Sequence, residues 1–367
     1  MHLGFGLYRH MLTGENLRFA VQAGATHLVV HLTDYFAGRD SAGPDDQPVG
    51  DRWGWGYAGD PAQLWTAKQL NALRQRVEQA GLRLHALENL DPAFWSEVLL
   101  DGPRRDAHIE NVKSIVRAMG EAQIPVLGYY FSLAGVAGRT TGAYARGGAQ
   151  AVGMEGPVDD PLPRGMVWNM IIDPEALDEA HAPVDYDTLH DRRRRFLDEV
   201  LPVAEAAGVT LAAHPDDPPL PEIRRTPRLM YKPSLCQQLL DDHPSPANQL
   251  ELCIGTLAEA DTEEDLYAWL DRFAAQQRIG YVHLRNVRDK APHYRETFID
   301  EGTVDVQRVL GILRRHDFQG VVIPDHAPQM ACDAPWHAGM AFAMGYLKAA
   351  MRAVEAEQPA REQQHDG

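Results

Sequence analysis

The chain has 367 residues, enough for one large α/β barrel or two ordinary domains, and its 44% hydrophobic content supplies a sizeable core and excludes intrinsic disorder. A formal charge of −17, from 35 basic and 52 acidic residues, argues against nucleic-acid phosphates and anionic membranes as partners. Three widely spaced cysteines, Cys236, Cys253 and Cys332, make no disulfide framework; with no visible signal peptide and no membrane-length apolar run, the expectation is a reduced, cytoplasmic protein.

Strand-like and helix-like runs alternate from end to end. Leu3–Leu7 reads as the first strand, and Glu15–Gln22 as a helix stopped by Gly24. His27–His31 is the second strand. Helix Ala67–Ala80, stopped by Gly81, precedes the third strand, Leu82–Leu87. Helix Ala107–Gly120 leads to the fourth strand, Val126–Phe131. The long helix Tyr186–Ala207 carries Gly208 as its cap and leads to the fifth strand, Val209–Ala213. Gln249–Cys253, Gly280–Arg285 and Gly320–His326 complete eight βα units, the count of a closed (β/α)8 TIM barrel. The domain is expected to span 1–352, with a polar, frayed tail over 353–367.

Two stretches break the alternation. Asp34–Asp60, with Trp53, Trp55 and Tyr57, follows the second strand, and Ser132–Pro183 follows the fourth. Loops this long at the carboxyl ends of barrel strands read as lids over a site, although they could equally serve as contacts in a homo-oligomer. The run Arg192–Arg195 lies inside a helix, so its side chains point around the axis and read as a solvated, salt-bridged surface. Gly4-Phe-Gly6 lacks the third glycine of a dinucleotide fingerprint.

Four consecutive strand ends carry metal-donor residues. His214 ends the fifth strand, where Pro215, Pro218 and Pro219 forbid its continuation. Cys253, His283, and Asp325 with His326 end the next three. Nitrogen, sulfur and oxygen donors in this register suit a divalent transition metal at the carboxyl-terminal mouth of the barrel. No histidine or lysine adjoins Cys253 in sequence, so it reads as a metal-bound thiolate and not as a nucleophile.

The motifs His214-Pro-Asp-Asp-Pro-Pro219, Cys253-Ile-Gly-Thr256, His283-Leu-Arg285, Pro324-Asp-His326 and Gln329-Met330 resemble those of the mannonate dehydratase family. That family comprises metal-dependent hydro-lyases on a xylose-isomerase-like barrel. Leu87-Glu88 is a weaker echo, and Phe298 with Gly302–Asp305 resembles the family's stretch between the seventh strand and its helix. The resemblance implies His214, Cys253, His283, Asp325 and His326 as ligands and manganese as the metal; donor type alone would equally allow Fe2+, Co2+ or Zn2+. It implies a sugar-acid substrate giving a 2-keto-3-deoxy acid. The chain departs from the family at Pro328, where a second histidine is usual, and at Gly339-Met340, where a tyrosine is usual. Tyr346 and His337 are the nearest substitutes in sequence. The family's Trp-Thr-Arg-Thr is reduced to Gly138-Arg139-Thr140.

Dehydration removes the proton α to a carboxylate and expels the adjacent hydroxyl, which needs a Lewis acid, a carboxylate clamp, a base and an acid. Arg285 is placed to clamp the carboxylate, with Asn286 and Arg139 as further substrate contacts. Asp216, Glu88, His31 and Tyr130 are the candidates for proton transfer. Two other readings stay open: a divalent-metal isomerase or epimerase on the same barrel, and a non-catalytic sugar-acid binder.

Overall fold

The computed structural model describes residues 1–38, 48–49 and 54–357. Trp53, parts of the first excursion and the tail beyond residue 357 lie outside the described residues. Eight parallel strands close a barrel: β1 (His2–Leu7), β2 (His27–Val30), β3 (Arg83–Glu88), β4 (Val126–Tyr129), β5 (Thr210–Ala213), β6 (Asn248–Cys253), β7 (Ile279–His283) and β8 (Val321–Ile323). Their order around it is β1-β8-β7-β6-β5-β4-β3-β2. This is the predicted TIM barrel.

The helices between them start where side chains can satisfy orphan amides. Helix α1 (Gly14–Gln22) is capped by Thr13, α2 (Ala67–Gln79) by a Thr66–Gln69 capping box, and α3 (Pro92–Leu100) by Asp91. Helix α4 (Arg105–Glu121) precedes β4, and α5 (Tyr186–Ala207) starts at Asp185 and ends at Gly208, whose φ of 67° is the left-handed cap expected of it. Helices α6 (Pro233–Asp242), α7 (Ile254–Glu259), α8 (Leu266–Ala275), α9 (Val306–Arg315) and α10 (Pro335–Glu357) complete the ring. The helices bury one face against the barrel: on α9, Val306, Val309, Leu310, Ile312 and Leu313 point inward.

Several predicted boundaries shift. Four strands stop one to three residues short of their predicted ends, which leaves His31, Arg285, Asp325 and His326 on loops above the mouth. The reason is register. Ile323 pairs with His283 at the last rung of β8, and Pro324 brings no N–H to extend the ladder. At the other end, α10 runs on to Glu357 with Val354 in the core, so helix extends past the predicted boundary at 352. The arginine run is also not wholly solvated. Arg193 is 1% exposed, with Asp242 3.7 Å away, because the helix turns one of any four successive residues inward.

The two excursions interlock above the barrel. Trp55 N donates to Asn169 O at 2.8 Å, and Ile171 N donates to Gly56 O at 2.9 Å. Strands Thr140–Ala145 and Ala149–Gly153 of the second excursion join Arg295–Thr297 and Asn286–Arg288 in a four-stranded antiparallel sheet. Both segments therefore form part of the roof over the carboxyl-terminal face.

Candidate metal centre at the barrel mouth

Side chains alternate along a strand, so Cys253 and Glu251 of β6 face the interior together, as do His283 and Tyr281 of β7. Cys253 and His283 are direct partners in the ladder. With His214, the first residue past β5, they bring one sulfur and two nitrogens within 4.8 Å of one another. Asp325 closes the group: its Oδ2 is 3.7 Å from Cys253 Sγ and its Oδ1 3.6 Å from His283 Nδ1.

These donors fit a divalent metal. His283 Nδ1 is buried and has no hydrogen-bond partner, whereas Nδ1 of His214 contacts Pro215 O at 2.5 Å, which leaves Nε2 toward the group. Cys253 Sγ caps α7, accepting from Thr256 N at 3.4 Å and Thr256 Oγ1 at 3.1 Å. Burial alone would push this thiol up; the charge of Arg285, together with the imidazoles of His214 and His283 beside the sulfur, outweighs it and brings the pKa down to about 6. His214 moves the other way. Burial lowers it, yet Glu251 and Cys253 raise it to about 9.

His326 stands beside this group. Its Nδ1 lies 3.1 Å from both oxygens of Glu296, and its Nε2 lies 3.5 Å from Asp325 Oδ1. On the opposite wall His31 is held similarly, with Nδ1 3.0 Å from Tyr35 Oη and Nε2 3.4 Å from Glu88 Oε1. Burial would raise Glu88, but His31 and His283 draw it down to about 2, so it is a carboxylate. A cavity of about 60 Å³ separates these walls. Tyr8, His31, Glu88, Tyr130, Arg139, His214, His283, Asp325 and His326 line it, with Pro48 and Trp55 from the first excursion and Trp168 from the second. A larger groove of about 680 Å³ lies outside the mouth, against α3 and α4, and contains none of the metal donors.

Three expected site residues are committed elsewhere. Arg285 is 1% exposed and does not line the cavity. Its Nε donates to Asp325 at 2.9 Å, its Nη2 to Asp217 at 3.2 Å and Thr256 at 3.1 Å, and its Nη1 to Glu259. Gly255 leaves the passage this side chain needs, since a Cβ there would meet Arg285. Asp216 is buried away from the cavity, pairing with Arg228 Nε at 3.1 Å and accepting from Met230 N at 2.5 Å. Asn286 gives both amide donors to Ile299 O and Val304 O at 2.9 Å, and so ties down the loop after β7.

Arg139 is placed differently. Its guanidinium lines the cavity, donating to Pro48 O at 3.1 Å, with Asp217 3.6 Å away and a buried Nε that has no partner. Tyr130 lines the cavity too, but its hydroxyl accepts from Asp217 N at 3.1 Å. Neither suggested substitute reaches the cavity: His337 Nε2 is 3.0 Å from Asn16 Oδ1, and Tyr346 packs on the outer core.

Sequence reasoning missed Glu251, Glu296 and Tyr8 as parts of this site, and gave Asp217 of the His214–Pro219 motif no role. Glu251 had a readable signal too, two residues before Cys253 on the same strand face.

The D-mannonate dehydratase (UxuA) profile matches residues 22–360. A mannonate dehydratase of Streptococcus equi subsp. zooepidemicus is 28% identical over 281 residues, covering 72% of this chain and 75% of the relative. One from Lactococcus lactis subsp. cremoris is 27% identical over 291 residues, covering 72% and 79%. The crystal structure of mannonate dehydratase from Streptococcus suis serotype2 superposes with a TM-score of 0.73 at 23% identity, over 97% of this chain and 95% of that one. An L-ribulose 3-epimerase shares the fold at a TM-score of 0.56 and 13% identity, over 99% of each chain. On the extent of the profile match, the chain belongs to the D-mannonate dehydratase family.

Proposed function

We propose that this protein dehydrates D-mannonate or a closely related aldonate to the 2-keto-3-deoxy acid, with Mn2+ held by His214, Cys253, His283 and Asp325. The observation that carries the reading is one cavity bounded by His214, His283 and Asp325 of that donor set, by an arginine with an unpartnered buried nitrogen, and by two histidines each backed by a glutamate. When bound, the metal supplies Lewis-acid polarisation of the substrate carboxylate.

The chain's own groups do the rest. Arg139 receives the substrate carboxylate, the role that Arg285 is too committed to fill. One of the Glu-backed histidines, His31 or His326, takes the proton from C2. The other donates a proton to the hydroxyl leaving C3, and the resulting enol becomes the ketone, for a net loss of one water. His326 stands beside the metal donors in this reading, tied to Glu296 instead of serving as a fifth ligand. Trp55 and Trp168 keep bulk water from the cavity.

Met340 borders a small void shared with Tyr8, His31, Glu88 and Asp325, so an apolar side chain stands where the resemblance puts a phenol. Tyr8, which lines both void and cavity, is the phenol closest at hand. This favours an aldonate other than D-mannonate as the better substrate.

The test is turnover on a panel of hexonates with manganese, with and without a chelator. Formation of a 2-keto-3-deoxy acid that depends on the metal supports the reading. Isomerised product without loss of water, or binding without turnover, would replace it with an epimerase or a binder. Met340→Tyr is expected to raise D-mannonate turnover; unchanged turnover would remove Met340 as the specificity residue.

A further inference from the structure

One buried acid takes no part in the chemistry above. Glu251 is 0% exposed, lies one layer below the cavity and is absent from its lining. Both of its oxygens are buried without a hydrogen bond. Its Oε1 lies 3.4 Å from His283 Nε2, and Glu88 Oε2 lies 3.2 Å from the same nitrogen. The other nitrogen of that ring, Nδ1, lies 3.6 Å from Asp325 and has no partner. The barrel makes room for this arrangement at Gly128 of β4, where a Cβ would meet both Glu251 and the Tyr281 hydroxyl.

We infer that Glu251 is a positioning residue for His283, sharing with Glu88 the task of holding the Nε2 side of the ring so that Nδ1 faces the metal. The inference rests on the metal reading above. An imidazole can offer only one lone pair to a cation while neutral, and its other nitrogen then carries the proton. A carboxylate behind that N–H selects the tautomer and stops the ring from turning. Glu88 alone is a divided partner, because its second oxygen lies 3.4 Å from His31. Glu251 makes no hydrogen bond elsewhere, its other basic neighbour being His214 Nε2 at the longer distance of 3.9 Å, and it approaches from the next strand, so the two carboxylates fix the ring from two directions.

The alternative use of the same atoms is a second cation. Glu88, Glu251 and His283 do place three donor atoms within 4.8 Å of one another. Simultaneous occupation of both groups would require His283 to bridge two metals as an imidazolate, which the neutral ring cannot do.

The experiment compares wild type, Glu251→Met and Glu251→Gln as metal-free proteins titrated with Co2+ against a chromophoric chelator. Thiolate-to-cobalt absorption reports on Cys253, and total bound metal gives the stoichiometry. Methionine fills the volume without an acceptor, whereas glutamine keeps one. Glu251→Met is expected to bind Co2+ about 10–100-fold more weakly, at an unchanged melting temperature of the metal-free protein, with Glu251→Gln close to wild type. Equal affinity of Glu251→Met and wild type overturns the inference. So does a stoichiometry of two in wild type that falls to one in Glu251→Met, which would make the group a second cation cage. Should Glu251→Met not fold, Glu251→Leu serves as the acceptor-free variant under the same criteria. Failure of wild type to bind Co2+ is a separate outcome, which rejects the metal reading itself.

Discussion

At the amino-terminal end of the barrel the rings of His2, His27 and His85 touch in sequence, tilted and then edge-on, with centroid spacings of 4.5 and 6.0 Å, and none forms an ion pair with a carboxylate among the described residues. At the carboxyl-terminal end His214, His283 and His326 lie 3.9, 3.2 and 3.1 Å from Glu251, Glu88 and Glu296. Burial disfavours the charged form at both ends, yet the outcomes are opposite. The lower three are pushed down, His27 to about 4 by burial and by its histidine neighbours, whereas the upper three are pushed up by their carboxylates. His31 shows the balance tipping: it faces Glu88, but burial still wins and holds it down. Placement of carboxylates, and not depth, distinguishes a chemical end from a structural end.

Four carboxylates of the upper end meet on the guanidinium of Arg285, so the largest expected effect comes from removing it. Arg285→Leu leaves Asp217, Glu259, Glu296 and Asp325 facing one another in the interior. A loss of about 3–5 kcal/mol is expected from denaturant titration, the usual cost of stripping one partner from a buried ionic group. Stability within ~1 kcal/mol of wild type would show that those acids are held by something else.

Next in size is the removal of a histidine from the upper end. His326→Ala is expected to lower kcat by about 10²–10⁴-fold with metal content unchanged, and Glu296→Gln by a smaller factor in the same direction. Loss of metal along with activity would instead return His326 to the ligand set. Arg139→Ala tests the carboxylate site: KM is expected to rise by about 10–100-fold, the loss of one or two charged hydrogen bonds. A pure fall in kcat would contradict it.

The smallest effect belongs to the lower end. His27 has a folded pKa of about 4 against about 6.5 for the unfolded chain. The unfolded state therefore binds the proton first as pH falls, so this contribution is complete above pH ~6.5 and is lost between there and pH ~4. With the partial solvent access of the ring allowed for, it amounts to about 1–2 kcal/mol. His27→Gln is expected to flatten the fall in denaturation midpoint between pH 7.5 and 4.5, and an unaltered slope would remove the contrast between the two ends.

Much of this molecule was readable from local signals. Alternation of strand and helix, with Gly24, Gly81 and Gly208 as stops, is enough for eight βα units, because each signal is settled by a few neighbouring residues. The strand-end positions of His214, Cys253, His283 and Asp325 follow from the same pattern, since every parallel strand of a barrel ends at the same face. What a side chain does once it arrives there is not local. Arg285, Asp216 and Asn286 have the right chemistry and the right strand ends, but partners as far away as 68 residues in sequence had already claimed them. Glu251, Glu296 and Tyr8 became part of the site only when the closing barrel brought β1, β6 and the loop after β7 around one axis. Sequence alone determined the architecture and the donor types, because periodicity and turn chemistry act within a few residues. Which arginine reaches the cavity, which carboxylate backs which histidine, and how small the cavity is were decided by tertiary closure, because those depend on distances between strands that share no sequence neighbourhood.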